Sequence, residues 1–516
     1  MKRFKLLCAL FLALSTSVAW AQENPYSQDV AEKNALEKYE LANPPRLQMP
    51  MPAPAPNEAV FGARISRSAT LLATSNKDLR WPVKVLIYGQ SITGSTIFYE
   101  QISSYLKFKF PFADVVVENR SIGGFGGENL VRTAVHDVYL TSPDLIIFHV
   151  YGGENHGELE QLFTGIRKYT TADVILMNHH FSATQKEYNP TSYNYLRYLA
   201  NKYNLELVDI SAEWSRYLTD NNLKAPDLLR DGVHPNRSGN WLLGQLIGRH
   251  IRYNSLFPGE WQNMVKTCFT QSAYDVNATN SLTFPGKPWN VINDVPCGES
   301  EKNPIKLTFY GNRVDIIAGQ IQGKVKKGET PVVIKTGSAR ILIDGKPVTD
   351  NNVVYAITRP TKGGSNGWFP GVRRISYNIP LIPEDWTMKI DKVNADSTVW
   401  SFSVTGSKTG YDGSGSSDQA FVSKSGRVVI DPSDFMFMKF KSTFKVATPA
   451  GFEVKWSAVP LYKATYQSPE ITDKTKVYKT TVVQGLVNGP HTLELIPVGD
   501  GAVPVEAFEI YRPSMQ

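Results

Sequence analysis

Five residues supply the groups that acyl transfer from an ester requires: Ser91, Gly124, Asn155, Asp231 and His234. A serine hydroxyl is a weak nucleophile at neutral pH unless a base takes its proton. His234 is the candidate base, and its ring must be neutral to act. Asp231, three residues earlier, can turn back, accept the Nδ1–H and leave Nε2 facing the hydroxyl. Attack on a carbonyl creates an oxyanion, which needs donors already in place. The backbone N–H groups of Ser91 and Gly124 and the side-chain amide of Asn155 are the candidates. Glycine at 124 lets the backbone approach a substrate with no Cβ in the way. Singly, each residue is ordinary: serine or Asp-Gly can mark a turn, glycine a tight loop, asparagine a helix cap. The chemistry depends on their convergence.

A doubly wound α/β sheet would bring them together, because its ligands sit beyond the carboxyl ends of the strands. From Trp81 to about Tyr253 the chain alternates strand and helix patterns. Continuous apolar runs, typical of buried parallel strands, occur at Val83–Tyr88, Asp114–Glu118, Asp144–Val150, Asp173–Met177 and Leu205–Ile210. Helical patterns lie between them near 95–107, 128–140, 157–169 and 191–203, with a last one at 238–253. Right-handed crossovers then predict a flavodoxin-like parallel sheet covered on both faces. Just past the runs come Gly89-Gln90-Ser91, Ser121-Ile122-Gly123-Gly124, Gly152-Gly153-Glu154-Asn155, Asn178-His179-His180 and Asp231-Gly232-Val233-His234.

Four of these blocks resemble those of the SGNH hydrolases, also called the GDSL esterases. Ser91, Gly124, Asn155 and His234 match the four name-giving positions, and Asp231 matches the aspartate of D-x-x-H. The resemblance covers roughly residues 81–253. It implies a serine esterase with Ser91, Asp231 and His234 catalytic, with Ser91, Gly124 and Asn155 forming the oxyanion hole, and without a cofactor. The first block departs from G-D-S: Gln90 replaces the usual aspartate. A G-Q-S block resembles a carbohydrate-esterase branch that includes sialate and xylan acetylesterases. The substrate implied is therefore an acylated, above all O-acetylated, polysaccharide or oligosaccharide. The alternatives are a lipid or aryl esterase on the same machinery, and a carbohydrate-binding protein with a retired catalytic domain.

The rest of the 516 residues bounds these readings. Lys2, Arg3 and Lys5, an apolar stretch from Leu6 to Leu14 and Ala19-Trp20-Ala21 form a secretory leader pattern over 1–21, with export to the periplasm or beyond. The apolar run is too short to span a membrane and no later segment is long enough, so no membrane span is expected. Net charge is +7, three of the cations lie in the leader, and no dense basic block follows, which argues against a nucleic-acid partner. Residues 22–58 read as a polar, proline-rich segment and linker, with 60–76 a candidate strand pair. Residues 59–258 read as the hydrolase domain. From 259 to 516 short alternating runs separated by turns predict a β-sandwich or jelly-roll-like domain, with an irregular insertion over 355–425.

In an exported chain Cys268 and Cys297 are expected to form a disulfide. Gln90 and His180 are candidate substrate contacts, as is Trp368, which sits in a Gly/Pro-flanked loop; Trp400 and Trp456 read as core. The adjacent His179 and His180 lack the carboxylate spacing of a zinc motif, and no metal is assigned. Asp412, Ser414, Ser416 and Asp418 alternate oxygen donors as calcium sites do, but without a closing acidic residue they read as a flexible loop.

Overall fold

The computed structural model describes residues 49–152, 157–181, 190–272, 281–321, 334–351, 354–362 and 369–516. The leader, most of the N-terminal segment, Asn155 and Trp368 lie outside them. Strands β1 (Pro82–Gly89), β2 (Asp114–Asn119), β3 (Leu145–His149), β4 (Asp173–Met177) and β5 (Glu206–Val208) form a parallel sheet in the order β2-β1-β3-β4-β5. Every residue of β3 and β4 is buried, which is why both strands read as unbroken apolar runs.

Helices α1 (Ser66–Thr74), α2 (Thr96–Lys109), α3 (Gly127–Asp137), α4 (Glu158–Tyr169), α5 (Pro190–Lys202), α6 (Ile210–Asp220) and α7 (Arg237–His250) cover the two faces. Successive strand residues point to opposite sides. Val85, Ile87, Leu145 and Ile147 meet Leu72, Phe98, Ile102, Trp214 and Leu246 on one face. Leu86, Tyr88, Ile146 and Phe148 meet Leu130, Leu162, Ile166 and Leu199 on the other.

Two expectations change within this half. Residues 66–74 form α1 rather than part of a strand pair. Ile65, Ala69 and Leu72 are fully buried at helical spacing, and that period overrides the short apolar pairs. Helix α6, not expected, follows β5 directly. Asp209 caps it by accepting from Ala212 N–H at 3.2 Å. The described end of the proline-rich segment is strapped down rather than free: Arg216 and Arg249 both donate to Ala53 O, and Tyr217 Oη donates to Pro50 O at 2.7 Å.

The C-terminal half is antiparallel β, organised as two large sheets with separate cores and a two-stranded ribbon, Phe421–Val422 with Val429–Ile430. A ten-stranded sheet is built around the long strands Ile305–Ala318, Lys479–Pro497 and Val503–Tyr511. Between its strands Lys346–Pro347 and Thr465–Gln467, a five-stranded sheet is inserted. It contains Tyr355–Ile357, Glu384–Val393, Trp400–Gly406, Gly410–Ser416 and Glu453–Pro460, so the stretch expected to be irregular is largely a folded unit. Trp386, Trp400 and Trp456 are buried in its core.

The Asp/Ser alternation lies partly on a strand, and both carboxylate oxygens of Asp412 are taken by Ser425, from N–H at 2.8 Å and Oγ–H at 2.7 Å. That pairing accounts for its burial. Among the described residues no cluster of three or more His, Cys, Asp or Glu could hold a metal ion, and no helix is long and apolar enough to cross a membrane.

The expected disulfide is absent. Cys268 pairs with Phe508 and Cys297 with Pro504 along the same flank of one strand. Four residues of strand place the Cα atoms roughly 13 Å apart, against a disulfide limit of about 7 Å. Burial pushes the Cys297 thiol up to about 12.

The ten-stranded sheet is joined to the α/β half at the end opposite the loops named above. Asp144, just before β3, pairs with buried Arg67 at 2.7 Å and accepts from Lys84 N–H at 2.8 Å. Arg67 and Arg313 both lie over the ring of Tyr511.

Candidate active site

Gly89 ends β1 at a φ of +154°, and a Cβ there would lie 2.1 Å from His149 O on the neighbouring strand. Only glycine lets β1 close against β3 and then turn sharply. Gln90 O accepts from Gly94 N–H at 2.7 Å and from Thr93 Oγ1–H at 3.2 Å, so residues 90–94 form a tight turn with Ser91 at its crest.

The loop after β2 is stitched to this turn. Asn119 Nδ2 donates to Thr93 O at 2.7 Å, Ser121 Oγ bonds Thr93 Oγ1 at 2.9 Å, and Ile122 N–H donates to Gly89 O at 2.8 Å. Gly124, at φ +78° with open space where a Cβ would sit, follows two residues on. Sequence reading assigned nothing to Thr93, Asn119 or Ser121. Their polar side chains immediately past two strand ends were the available signal.

The third loop folds from the segment before α7. Arg230 N–H donates to His234 O and Asn236 N–H to Leu228 O, both at 2.9 Å, closing a narrow turn. Within it Asp231 Oδ1 accepts the N–H groups of Val233 at 2.8 Å and His234 at 2.7 Å. Those bonds, the His234 N–H first, hold the carboxyl at about 2, so it is ionised at neutral pH. Asn236 then caps α7 by accepting from Gly239 N–H at 3.0 Å. Gly239 packs so tightly that a Cβ would fall 2.2 Å from Leu228 O.

The three loops meet. His234 Nε2 lies 3.0 Å from Ser91 Oγ. Its Nδ1 lies 3.0 Å from Asp231 Oδ2 and 3.1 Å from Oδ1. With Nδ1–H directed at the carboxylate, Nε2 carries a lone pair toward the hydroxyl, the arrangement in which an imidazole can remove the serine proton. The site is open: the side chains of His234 and Asp231 are 29% and 50% exposed.

The structure changes the reading of two candidate substrate contacts. His180 is buried rather than substrate-facing. Its Nε2–H donates to Val233 O at 2.6 Å and its ring packs on Trp214, bracing the loop just before His234. Burial lowers its pKa to about 4 and keeps it neutral. Gln90 is also buried: its Nε2 donates to Tyr151 O at 3.0 Å, and its Oε1 faces Ser91 Oγ at 3.2 Å. It therefore links the nucleophile turn to the segment leading toward Asn155. At the ends of β3 and β4, His149 Nε2 and His179 Nδ1 lie 3.1 Å apart, with burial holding His149 well below the usual histidine range.

No protein-family model matches the chain, and no curated protein matches it. Solved structures do. A two-domain esterase active on acetylated mannans, co-crystallised with mannopentaose, is 13% identical over 89% of this chain and 100% of its own, with a TM-score of 0.34. A variant acetyl xylan esterase from Geobacillus stearothermophilus is 22% identical over 34% of this chain and 97% of its own, with a TM-score of 0.30. A GDSL-like lipase from Parabacteroides merdae is 16% identical over 34% of this chain and 98% of its own, with a TM-score of 0.28. These are likenesses of fold at low identity.

Proposed function

We propose that this protein is a serine esterase working through an acyl-enzyme. The observation that carries the reading is the contact of His234 Nε2 with Ser91 Oγ at 3.0 Å while Nδ1 faces Asp231. Ser91 Oγ attacks the ester carbonyl as His234 takes its proton. The tetrahedral oxyanion is held by the N–H groups of Ser91 and Gly124 and by the Asn155 amide. Its collapse expels the alcohol, which takes the proton back from His234. Water, deprotonated by the same ring, then attacks the acyl carbonyl and frees Ser91 and the carboxylic acid. Asp231 stays ionised and steadies the imidazolium in both steps.

The substrate class proposed is O-acetylated polysaccharide or oligosaccharide, met outside the cytoplasm. Support comes from the G-Q-S form of the first block and the leader pattern over 1–21. A substrate panel tests it. Acetate release from acetylated mannan and xylan oligosaccharides should exceed hydrolysis of long-chain acyl esters. The reverse order would point to a lipid esterase on the same residues. No ester turnover of any kind would leave a binding protein.

A further inference from the structure

We infer that the inserted five-stranded β unit acts as an external brace for the oxyanion loop, with Arg359 as its positioning residue. This rests on the esterase reading above and assigns the unit a part in the chemical step.

The loop from Arg120 to Phe125, with Gly124 inside it, is gripped at both ends by this unit. At its start, Arg359 Nη2 donates to Arg120 O at 2.5 Å. The same guanidinium is fixed by Asp137 at the end of α3, with Nε on Oδ1 and Nη2 on Oδ2, both at 2.8 Å. Both partners are buried. At the loop's far end Phe125, directly after Gly124, makes a T-shaped contact with Phe369, ring centroids 5.7 Å apart at 81°.

The helix that the loop feeds is held as well. His136 Nδ1–H donates to Ile357 O at 2.8 Å, and its Nε2 accepts from Ile375 N–H at 3.1 Å. Arg373 donates to Asn129 Oδ1 at 2.7 Å. Met436 joins the apolar core beneath α3. Inward, the loop is tied to the Ser91 turn through Thr93 and Gly89; outward, it is tied to the β unit.

Gly124 is exposed, with a left-handed φ and nothing within 4 Å of where a Cβ would sit. Its placement depends on the residues to either side. An oxyanion donor must be held within about 0.5 Å of its productive place. Because Arg359 bonds the loop's backbone at Arg120 O and the α3 carboxylate Asp137, its contribution should appear in turnover and not in substrate affinity.

The test uses the full chain and p-nitrophenyl acetate, a substrate with no sugar for a binding surface to grip. In Arg359→Met, kcat should fall roughly 10- to 100-fold, less than the loss of a whole oxyanion donor, with KM within about threefold. Arg359→Lys, which can still donate to Arg120 O, should recover part of that kcat. Assays run well below each variant's unfolding midpoint. Should Arg359→Met fail to fold, Phe369→Leu probes the loop's other end and should lower kcat in the same selective way.

Wild-type kcat in a folded Arg359→Met or Phe369→Leu would overturn the brace. A rise in KM at unchanged kcat would also overturn it, marking a binding surface instead. Ser91→Ala separates the two levels. Loss of activity in Ser91→Ala with full kcat in Arg359→Met sinks the brace alone. Equal rates for Ser91→Ala and wild type sink the esterase reading and the brace with it.

Discussion

Replacing Asp231 by asparagine changes one atom and reverses the polarity of the group facing His234 Nδ1. Asp231 Oδ1 already accepts the Val233 and His234 N–H groups at 2.8 and 2.7 Å. In Asp231→Asn the amide oxygen can keep both bonds, so the turn should persist. The amide NH₂ then takes the place of Oδ2, 3.0 Å from His234 Nδ1. An NH₂ facing Nδ1 favours the tautomer with its proton on Nε2, opposed only by the retained amide oxygen 3.1 Å from Nδ1. In that tautomer the lone pair that should accept the serine proton is lost. In a serine protease triad the same change costs about 10⁴-fold. Here the carboxylate is half exposed, so water can compete for Nδ1 and soften the tautomer preference. The expected loss in kcat/KM on p-nitrophenyl acetate is therefore about 10³-fold, close to 4 kcal/mol of transition-state stabilisation. The unfolding midpoint should move by no more than a few degrees. A folded Asp231→Asn protein within tenfold of wild type would mean that Asp231 does not set the tautomer of the base.

Two further outcomes concern His136 and the two cysteines. His136 is neutral in the fold, with burial lowering its pKa from the ordinary 6.5 to about 4. Its stabilising contribution is complete above the unfolded value and is lost as pH falls from about 6.5 toward 4. Stability should therefore decline more steeply over that interval in wild type than in His136→Gln, by up to one proton; parallel denaturant-unfolding profiles would contradict this. Cys268 and Cys297 are unbridged, so a reductant should leave the unfolding midpoint unchanged and both should react with a thiol reagent once the purified protein is unfolded. A midpoint that drops on reduction would contradict it.

Strands β3 and β4 were legible because burial on both faces makes them continuous runs with no alternation to decode, whereas edge strand β2, with Val116 exposed, stood out by its three consecutive valines. The rim followed, since ligands of such a sheet collect at the carboxyl ends of its strands. What the sequence hid was mostly long-range. The burial of His180 depends on Trp214 and Val233, respectively 34 and 53 residues away, and nothing local marks it. Arg359 reaches a carboxylate 222 residues earlier in the chain. The cysteines were misjudged because compartment chemistry says whether a bridge can survive and not whether two strands bring the sulfurs within reach. Helices α1 and α6 are different: Ile65-Ala69-Leu72 and Ile210-Trp214-Tyr217 carry a helical period that was present in the sequence and was masked by short apolar pairs and by an adjoining strand.

In the mechanism proposed, one imidazole activates one hydroxyl. Covalent capture tests it most directly: treat the protein with a fluorophosphonate ester and locate the adduct by peptide mass. A single phosphonyl group on Ser91, formed at least about 10²-fold more slowly in His234→Ala, is the predicted result. An unlabelled Ser91 under conditions that label a known serine esterase, or labelling at the same rate without His234, would contradict it.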